Sequence, residues 1–337
     1  MDNNEHILNY ESEMVDKHVL QNVSNERKLW VDSLRAIAMI LVVYGHCVQG
    51  WTAFFVCTSP IKMPLFFIIS GYLFNPKNGD AKVFFKNLLF KLVIPWIVLG
   101  MLHPTNPLTR FGELISGKTL WFMPCLIIGE IVWFFIIKIS RVKWQIVLYG
   151  LILSCVGYNL TQLHILDYAM INRALTVQVF FIGGLLIKNY ERVLLSKCKV
   201  ILLLGIILYF ALICTQMQLF PGMIIDVHNG RYFNIIFCII IILIGCVTIF
   251  IAFKHFNIRN RGLVFVGQNT LVIYIAHGLG TSTFSKLVPN TIGGTIIPMP
   301  AYAFLKASFA IFLCCLLAMI FNRYFPELVG KKRKVMK

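Results

Sequence analysis

Charged residues are scarce in this sequence, and acidic residues are scarcer still. Only 13% of the 337 residues are Asp, Glu, Lys or Arg, and 14 acids stand against 31 Lys and Arg. Soluble domains carry about 25% charged residues, so this composition excludes an ordinary soluble protein. Hydrophobic residues make up 58% of the chain, and its mean hydropathy is +0.77. The composition therefore predicts a multi-pass membrane protein.

The sequence also lacks the patterns that would assign several other functions. Its ten cysteines lie mostly inside apolar runs, and their spacing is not typical of a disulfide framework or a zinc site. We see no internal repeat of the kind that indicates an inverted-repeat transporter. The net charge of +17 comes from basic residues in short bursts between apolar runs, which argues against nucleic acid as a partner. We therefore expect neither a metal nor a nucleic acid.

Ten apolar runs predict an all-α protein with ten transmembrane helices. The runs lie at about residues 34–56, 60–75, 83–102, 119–137, 144–160, 174–187, 199–219, 232–253, 263–285 and 301–325. The runs at 60–75 and 174–187 are short for a full span, so we expect tilted, deeply packed or partly re-entrant segments there.

The distribution of basic residues predicts the orientation of these helices. With the N-terminus in the cytoplasm, 24 of the 31 Lys and Arg fall on the inner side, as the positive-inside rule requires. Both termini are therefore expected in the cytoplasm. The chain divides into a polar cytoplasmic segment 1–30, a ten-helix membrane domain 31–326 and a basic cytoplasmic tail 327–337.

Polar residues at the start of the first run suggest a functional site. Arg35 begins the run 34–56, and His46 lies near its middle. Eleven helical residues correspond to about 16 Å of rise and a rotation of about 20° beyond three turns, so both side chains share one face. Asp32 lies one turn before Arg35 and could pair with it. A titratable group inside a membrane is costly and suggests function, although His46 could also only hydrogen-bond a neighbouring helix, and Arg35 could only anchor the interface.

This face suits a long ligand with an anionic head. Arg35 could hold phosphate at the membrane surface, while a neutral His46 could take a proton from a hydroxyl nucleophile as general base. Coenzyme A thioesters have phosphates at one end and a reactive thioester at the other. The residues permit this interpretation without requiring it.

The pattern Asp-x-x-Arg, ten residues and His resembles the membrane acyltransferase-3 family. Further segments resemble that family in the same order: MPLFFIISGYLF (63–74), FFKNLLFKLVIPWIVLG (84–100), LWFMPCLIIGEIVWF (120–134), RALTVQVFFIGGLL (173–186) and GQNTLVIYIAHG (267–278). The Leu-Trp-Phe-Met-Pro-Cys segment is most similar to the fucose-4-O-acetylase-like branch, which modifies surface glycans.

The resemblance implies an acyl-CoA donor on the cytoplasmic side and a sugar hydroxyl as acceptor. It implies that His46 is the catalytic base and that Arg35, beside Asp32, binds or orients the donor. Family members often carry arginines near the start of the third span, where this chain has Lys86 and Lys91. Lysine binds phosphate as a point charge without the bidentate fork of arginine, so a donor-phosphate role for this pair is open.

Seven other residues are candidates for the acceptor site or for a polar network: Ser70, Trp121, Glu130, Arg173, Asn269, Tyr274 and His277. Glu130 needs a partner across helices or a place at a cavity. Arg173 could pair with Glu130 or Asp167, or hold an acidic group of the acceptor. Structural alternatives stay open for all seven, including close helix packing at Ser70, an interfacial position for Trp121 and a structural hydrogen bond for His277.

We therefore predict a membrane O-acyltransferase that moves an acyl group, most simply acetyl, from acyl-CoA to a cell-surface or lipid-linked glycan. Acetyl-CoA is a co-substrate, and no bound cofactor is expected. The bilayer involved would be the cytoplasmic (inner) membrane of the cell envelope. The alternative is a transporter or flippase of a glycan or lipid-linked intermediate without acyl transfer, and a non-catalytic scaffold is a third possibility. The sequence does not separate direct transfer from an acyl-enzyme route.

Overall fold

The structure is a computed structural model that describes residues 28–48, 52–74, 80–102, 106–140, 142–289, 291–292 and 296–331. Within these ranges the chain forms α-helices joined by turns and loops, with an isolated β-bridge between Asp226 and Arg231. Most of the predicted segment 1–30 and the end of the tail 327–337 lie outside the described residues. The predicted division into three parts therefore stays a prediction.

The helices are numbered here in chain order. They are α1 Leu29–Cys47, α2 Ala53–Lys62, α3 Pro64–Leu73, α4 Ala81–Leu88, α5 Ile94–Met101, α6 Pro107–Ser116, α7 Phe122–Ile139, α8 Lys143–Gln162, α9 Ile171–Thr176, α10 Gln178–Asn189, α11 Glu191–Ser196, α12 Cys198–Leu219, α13 Ile235–His255, α14 Arg261–Gln268, α15 Thr270–Leu287 and α16 Met299–Tyr324. A π-helical turn, Leu89–Val93, joins α4 to α5, and 3₁₀ turns occupy Tyr168–Met170 and Pro326–Val329.

The number of helices that could cross a membrane agrees with the predicted architecture. Eight segments in the described part of the chain are long and apolar enough to span it, and two bent helix pairs raise the number to ten. The predicted all-α, multi-pass class is therefore confirmed. The short run 60–75 belongs to a longer span, because α2 and α3 together form a 21-residue segment, Ala53–Leu73. The short run 174–187 belongs to one of the bent pairs, with 44° between its two parts.

The predicted first span, 34–56, is wrong at its far end. Helix α1 ends at Cys47, and a new helix begins at Ala53 after Thr52, whose side-chain oxygen accepts a hydrogen bond from the amide of Phe55. Such a threonine N-cap satisfies one of the unpaired amides at a helix start. The apolar run thus contains a helix end and a helix start, which hydrophobicity alone does not separate.

The predicted span 263–285 is also not one straight helix. Helices α14 and α15 meet at an angle of 87° at Asn269. The Asn269 side chain donates to the carbonyl of Phe265 at 2.7 Å and accepts from Asn322 and Lys331, so it is bound to two other segments at the bend. Helix α14 crosses α1 where Gly267 packs directly on the Asp32 backbone, and no side chain fits between them.

The third span contains a π-helical turn because of a proline. Pro95 has no N–H to donate to the carbonyl of Lys91 four residues earlier, and its ring crowds that carbonyl. The chain widens to a π turn over Leu89–Val93, a feature that is frequent at functional sites. The chain after α16 packs on this turn, where Gly330 adopts a positive φ of 71° and a Cβ atom would lie 3.0 Å from the Lys91 carbonyl oxygen.

Candidate active site

Two cavities open at opposite ends of helix α1. The smaller, called the Arg35 cavity, has a volume of about 570 Å³. Its polar lining residues are Arg35, Ser70, Asp80, Asn87, Lys91, Glu130, Gln268 and Lys331. The larger, called the His46 cavity, has a volume of about 990 Å³. Its titratable and aromatic lining residues are His46, Phe55, Lys62, Trp121, His164, Arg173, Asp226, His228, Arg231, Tyr232, Phe233 and Tyr274.

Arg35 and His46 each line one of these two cavities, but the expected position of His46 near the middle of its span is wrong. Because α1 ends at Cys47, His46 lies in its last turn rather than near the middle of a span. The two residues remain separated by about 16 Å of helical rise. Each therefore lines the cavity at its own end of the helix.

Asp32 and Arg35 form a pair at the start of α1. The Arg35 guanidinium lies 3.7 Å from a carboxylate oxygen of Asp32, which is buried, while Arg35 is half-buried. The other Asp32 oxygen accepts a hydrogen bond from the amide of Gln268 at 3.3 Å. Helix α14 thus fixes the Asp32 carboxylate through Gln268, and the ion pair with Asp32 orients Arg35 toward the cavity.

Charges from four segments converge on the Arg35 cavity. Lys91 reaches it from the π turn, and Lys331 reaches it from the chain after α16. Glu130 lines the same cavity as Ser70, Arg35 and Lys91, and all three interact with it electrostatically. Glu130 therefore has polar and charged partners on neighbouring helices. Lys86 is exposed on α4 and does not line this cavity.

Helix packing fixes the position of Ser70. The neighbouring Gly71 lies directly on the backbone of Phe181, and Gly184 of the same helix α10 lies on the backbone of α3 near Ile68. Small residues allow such close approach of two membrane helices. The pair Ser70-Gly71 therefore combines a packing contact with a side chain at the cavity.

His46 lies beside a second histidine at the other end of α1. The rings of His46 and His277 have centroids 4.9 Å apart with 34° between their planes. The Nδ1 atom of His277 is 2.7 Å from the carbonyl oxygen of Tyr274. A carbonyl only accepts, so Nδ1 carries the proton of His277 and Nε2 is left without it when the ring is neutral. The Tyr274 hydroxyl itself accepts from the amide of Phe122 at 3.1 Å.

The wall facing His46 also contains Lys62 and His228, which were not among the residues predicted for the site. Lys62 is half-buried, with its Nζ 4.4 Å from the ring centroid of Phe55 and close to Gly45 beside His46. The ring of His228 stacks on Trp121 with centroids 4.8 Å apart and planes at 20°. A cation and a stacked aromatic pair thus face the same space as His46.

Arg173 is held at this cavity by Asp167 and not by Glu130. Its guanidinium forms an ion pair with Asp167, donates to Asn172 Oδ1 at 2.8 Å and donates from Nε to the carbonyl of His228 at 3.2 Å. Arg173 therefore ties the loop that carries His228 to the bundle. Burial lowers the pKa of His228, and the nearby Arg173 adds to this effect against the opposing charge of Asp226.

The loop over the His46 cavity is itself ordered by Asp226. One Asp226 carboxylate oxygen accepts from the amide of His228 at 3.0 Å, and the backbone of Asp226 pairs with that of Arg231. An aspartate that binds amides two residues on is typical of a tight turn. The turn fixes His228 against Trp121.

The candidate residues thus separate into two groups. Asp32, Arg35, Ser70, Lys91 and Glu130 lie at or behind the Arg35 cavity, and Asn269 belongs to the network beside it. His46, Trp121, Arg173 and Tyr274 line the other cavity, with His277 against His46. Among the described residues, no group of three or more His, Cys, Asp or Glu could hold a metal ion. Such a pair of cavities, one cationic and one containing a histidine, can bind two substrates at the two ends of one helix.

The profile of the acyltransferase-3 family, described as an acyltransferase domain, matches residues 28–319. The chain belongs to the acyltransferase-3 family. No curated protein and no solved structure gives a significant match. The family and the eight to ten candidate spans of the described residues make this chain a multi-pass membrane acyltransferase with an acyl donor and an acceptor.

Residues of this acyltransferase that the sequence did not single out fall into two kinds. In the sequence, Lys62 was only one of the basic residues, and His228 was only a histidine in a loop. Lys62 is nevertheless flanked by Pro60 and Pro64 in an otherwise apolar stretch. Lys331 counted only as one of several basic residues in the tail. The isolated position of Lys62 was the available signal, whereas His228 and Lys331 reach their cavities only through the fold.

Proposed function

We propose that this acyltransferase moves an acetyl group from acetyl-CoA, bound in the Arg35 cavity, to a glycan hydroxyl in the His46 cavity. One observation carries the proposal: α1 presents Arg35 and His46 on one face, and each lines a separate polar cavity. A long donor with phosphates at one end and a thioester at the other suits this arrangement. Acetyl-CoA acts as a co-substrate, so no bound cofactor is required.

The chemistry assigned to His46 is general base catalysis. The acceptor hydroxyl gives its proton to the His46 imidazole, and its oxygen attacks the carbonyl carbon of the thioester. The C–S bond breaks, and the CoA thiolate takes the proton back from the imidazolium. In the other route the unprotonated nitrogen of His46 bonds to the thioester carbon, the C–S bond breaks, and the CoA thiolate takes the remaining ring proton. The acceptor hydroxyl then attacks the acyl-imidazole, the C–N bond breaks, and the hydroxyl proton returns to the His46 ring. Both routes need His46, and His277 beside it positions the ring.

The acceptor proposed for the His46 cavity is a cell-surface or lipid-linked sugar. The stacked face of Trp121 and His228 suits a sugar ring, and Lys62 with Arg173 suits an acceptor that also carries phosphate or carboxylate. The resemblance to the fucose-4-O-acetylase-like branch supports a glycan. The positive-inside distribution supports an Arg35 cavity open to the cytoplasm, so the acetyl group would cross the inner membrane within the protein.

The test uses membranes with the wild-type chain or His46→Ala at matched expression, with radiolabelled acetyl-CoA and the lipid-linked glycan of the host. We expect label in the glycan fraction for wild type and none for His46→Ala. His255→Ala, which changes an exposed histidine at the end of α13, is the matched control and should transfer normally. Full transfer by His46→Ala would overturn the proposed mechanism.

A glycan transporter or flippase is the second candidate, because two cavities at opposite ends of a bundle also suit transport. The same assay separates the two functions. A transporter would move the glycan without consuming acetyl-CoA, whereas the transferase releases one free CoA thiol for each acetyl group transferred.

A further inference from the structure

The chain beyond the last span forms one wall of the Arg35 cavity. After α16 the 3₁₀ turn Pro326–Val329 brings Val329, Gly330 and Lys331 to the cavity lining. Gly330 makes this possible, because its positive φ and its close approach to the Lys91 carbonyl both disfavour a side chain there. This segment lies outside the range 28–319 that matches the family.

Two asparagines fix the ammonium group of Lys331. Its Nζ donates to Asn269 Oδ1 and to Asn322 Oδ1, each at 2.7 Å, and Asn322 also donates to Asn269 at 2.9 Å. These two amides carry no charge, so they position the ammonium without contributing a negative charge. Holding a lysine side chain in one conformation costs conformational entropy. Here the Lys331 side chain is already held before a ligand binds, so ligand binding does not add that cost.

Lys331 therefore complements two other cations in the cavity. Arg35 comes from α1, Lys91 from the π turn and Lys331 from the chain after α16. Two carboxylates share this lining with the three cations: Asp80 accepts from the amide of Lys82 at the start of α4, and Glu130 faces Arg35 and Lys91. An ammonium group fixed in the lining of such a cavity binds phosphate oxygens by charge-assisted hydrogen bonds.

We propose that Lys331 is a donor-binding residue that contacts the phosphates of acyl-CoA, with the turn 326–331 as a wall of the donor site. This inference rests on the proposed function, because it takes acyl-CoA as the occupant of the Arg35 cavity. It assigns the phosphate end of the donor to the side of the cavity where α14, α16 and the π turn meet.

The test compares two donors on the full-length protein in lipid nanodiscs. Acetyl-CoA carries the phosphates, whereas S-acetyl-N-acetylcysteamine presents the same thioester without them. We expect Lys331→Met to raise the KM for acetyl-CoA about tenfold and to leave kcat and the KM for the short thioester unchanged, a loss equal to a weak charge-assisted hydrogen bond. Lys331→Arg should restore most of the affinity, and Lys197→Met, at an exposed lysine, should behave as wild type.

Two results would overturn the inference. An unchanged KM for acetyl-CoA in Lys331→Met would remove Lys331 from donor binding, and an equal rise for both donors would make it a structural residue only. Wild type that transfers from neither donor would instead contradict the proposed function.

A second measurement needs no variant and therefore does not depend on the folding of Lys331→Met. CoA should protect Lys331 of the wild-type chain from an amine-modifying reagent, read by mass spectrometry, and should leave Lys197 unprotected. Equal modification of Lys331 with and without saturating CoA would contradict the assignment.

Discussion

The contact between α14 and α1 provides a sharp test of how the Arg35 end is built. Gly267 lies directly on the backbone of Asp32, so a methyl group added there meets a carbonyl oxygen and a Cα atom rather than a flexible side chain. In Gly267→Ala the two helices must move apart until this methyl reaches van der Waals distance. That movement also draws the Gln268 amide away from the Asp32 carboxylate, and Arg35 loses its fixed direction.

Two opposing free-energy contributions determine how much Gly267→Ala changes the free energy of unfolding. Inserting a methylene-sized group into a packed site costs about 1–3 kcal/mol, and an obstacle made of backbone favours the upper end. Replacing glycine by alanine inside a helix returns about 1 kcal/mol. We therefore expect Gly267→Ala to reduce the free energy of unfolding by about 2 kcal/mol. Gly278→Ala is the matched control, because no atom lies within 4 Å of the added methyl, and it should be neutral or stabilising.

Thermal unfolding in detergent, followed with a thiol-reactive fluorescent dye, measures this difference. Six of the ten cysteines are buried and react only when the bundle opens, as Cys125 and Cys246 do. Gly267→Ala should unfold a few degrees below wild type and Gly278→Ala at or above it. Unfolding of Gly267→Ala at the wild-type temperature would refute the close crossing of α14 and α1.

Two further predictions concern groups away from that crossing. Burial opposes ionisation of Glu191, but hydrogen bonds from Lys254 and Tyr72 outweigh it and lower the pKa of Glu191 below its ordinary value of 4.5. Wild type should therefore be more stable than Glu191→Gln at neutral pH, and this difference in stability should disappear as the pH falls through the lowered pKa. Thermal unfolding of both proteins at pH 7, 5 and 4 measures the difference. Arg173→Lys should lower kcat/KM for the acceptor about tenfold or more while leaving the KM for acetyl-CoA unchanged, because lysine cannot bind Asp167, Asn172 and the His228 carbonyl together. An effect of Arg173→Lys on the donor alone would contradict the division into two sites.

The membrane architecture was predictable because it depends on local hydrophobicity. Most predicted apolar runs correspond to a helical span or a bent helix pair, and the exception is 34–56, which contains the end of α1 and the start of α2. The helix breaks were harder to predict, because their causes are partly distant in the chain. Thr52 is a local N-cap signal inside an apolar run, whereas the bend at Asn269 depends on hydrogen bonds from Asn322 and Lys331.

The candidate site was predictable along α1 and much less so across the bundle. The spacing of Asp32, Arg35 and His46 fixes their shared face, since one helix carries all three. The approach of His228 to Trp121 depends on a loop ordered by Asp226, and no periodicity encodes it. Glu130 needed a partner, but only the packing of α3 on α10 and α7 decides that Ser70 is near it and Arg173 is not.

The two-cavity arrangement is tested most directly by the side of the membrane from which each substrate acts. Sealed inside-out vesicles would receive radiolabelled acetyl-CoA, which does not cross bilayers, with the acceptor glycan trapped in the lumen. The account predicts label on lumenal glycan with the wild-type chain and none with His46→Ala. Label that appears only when acetyl-CoA and the glycan share one compartment would contradict transfer between the two ends of α1.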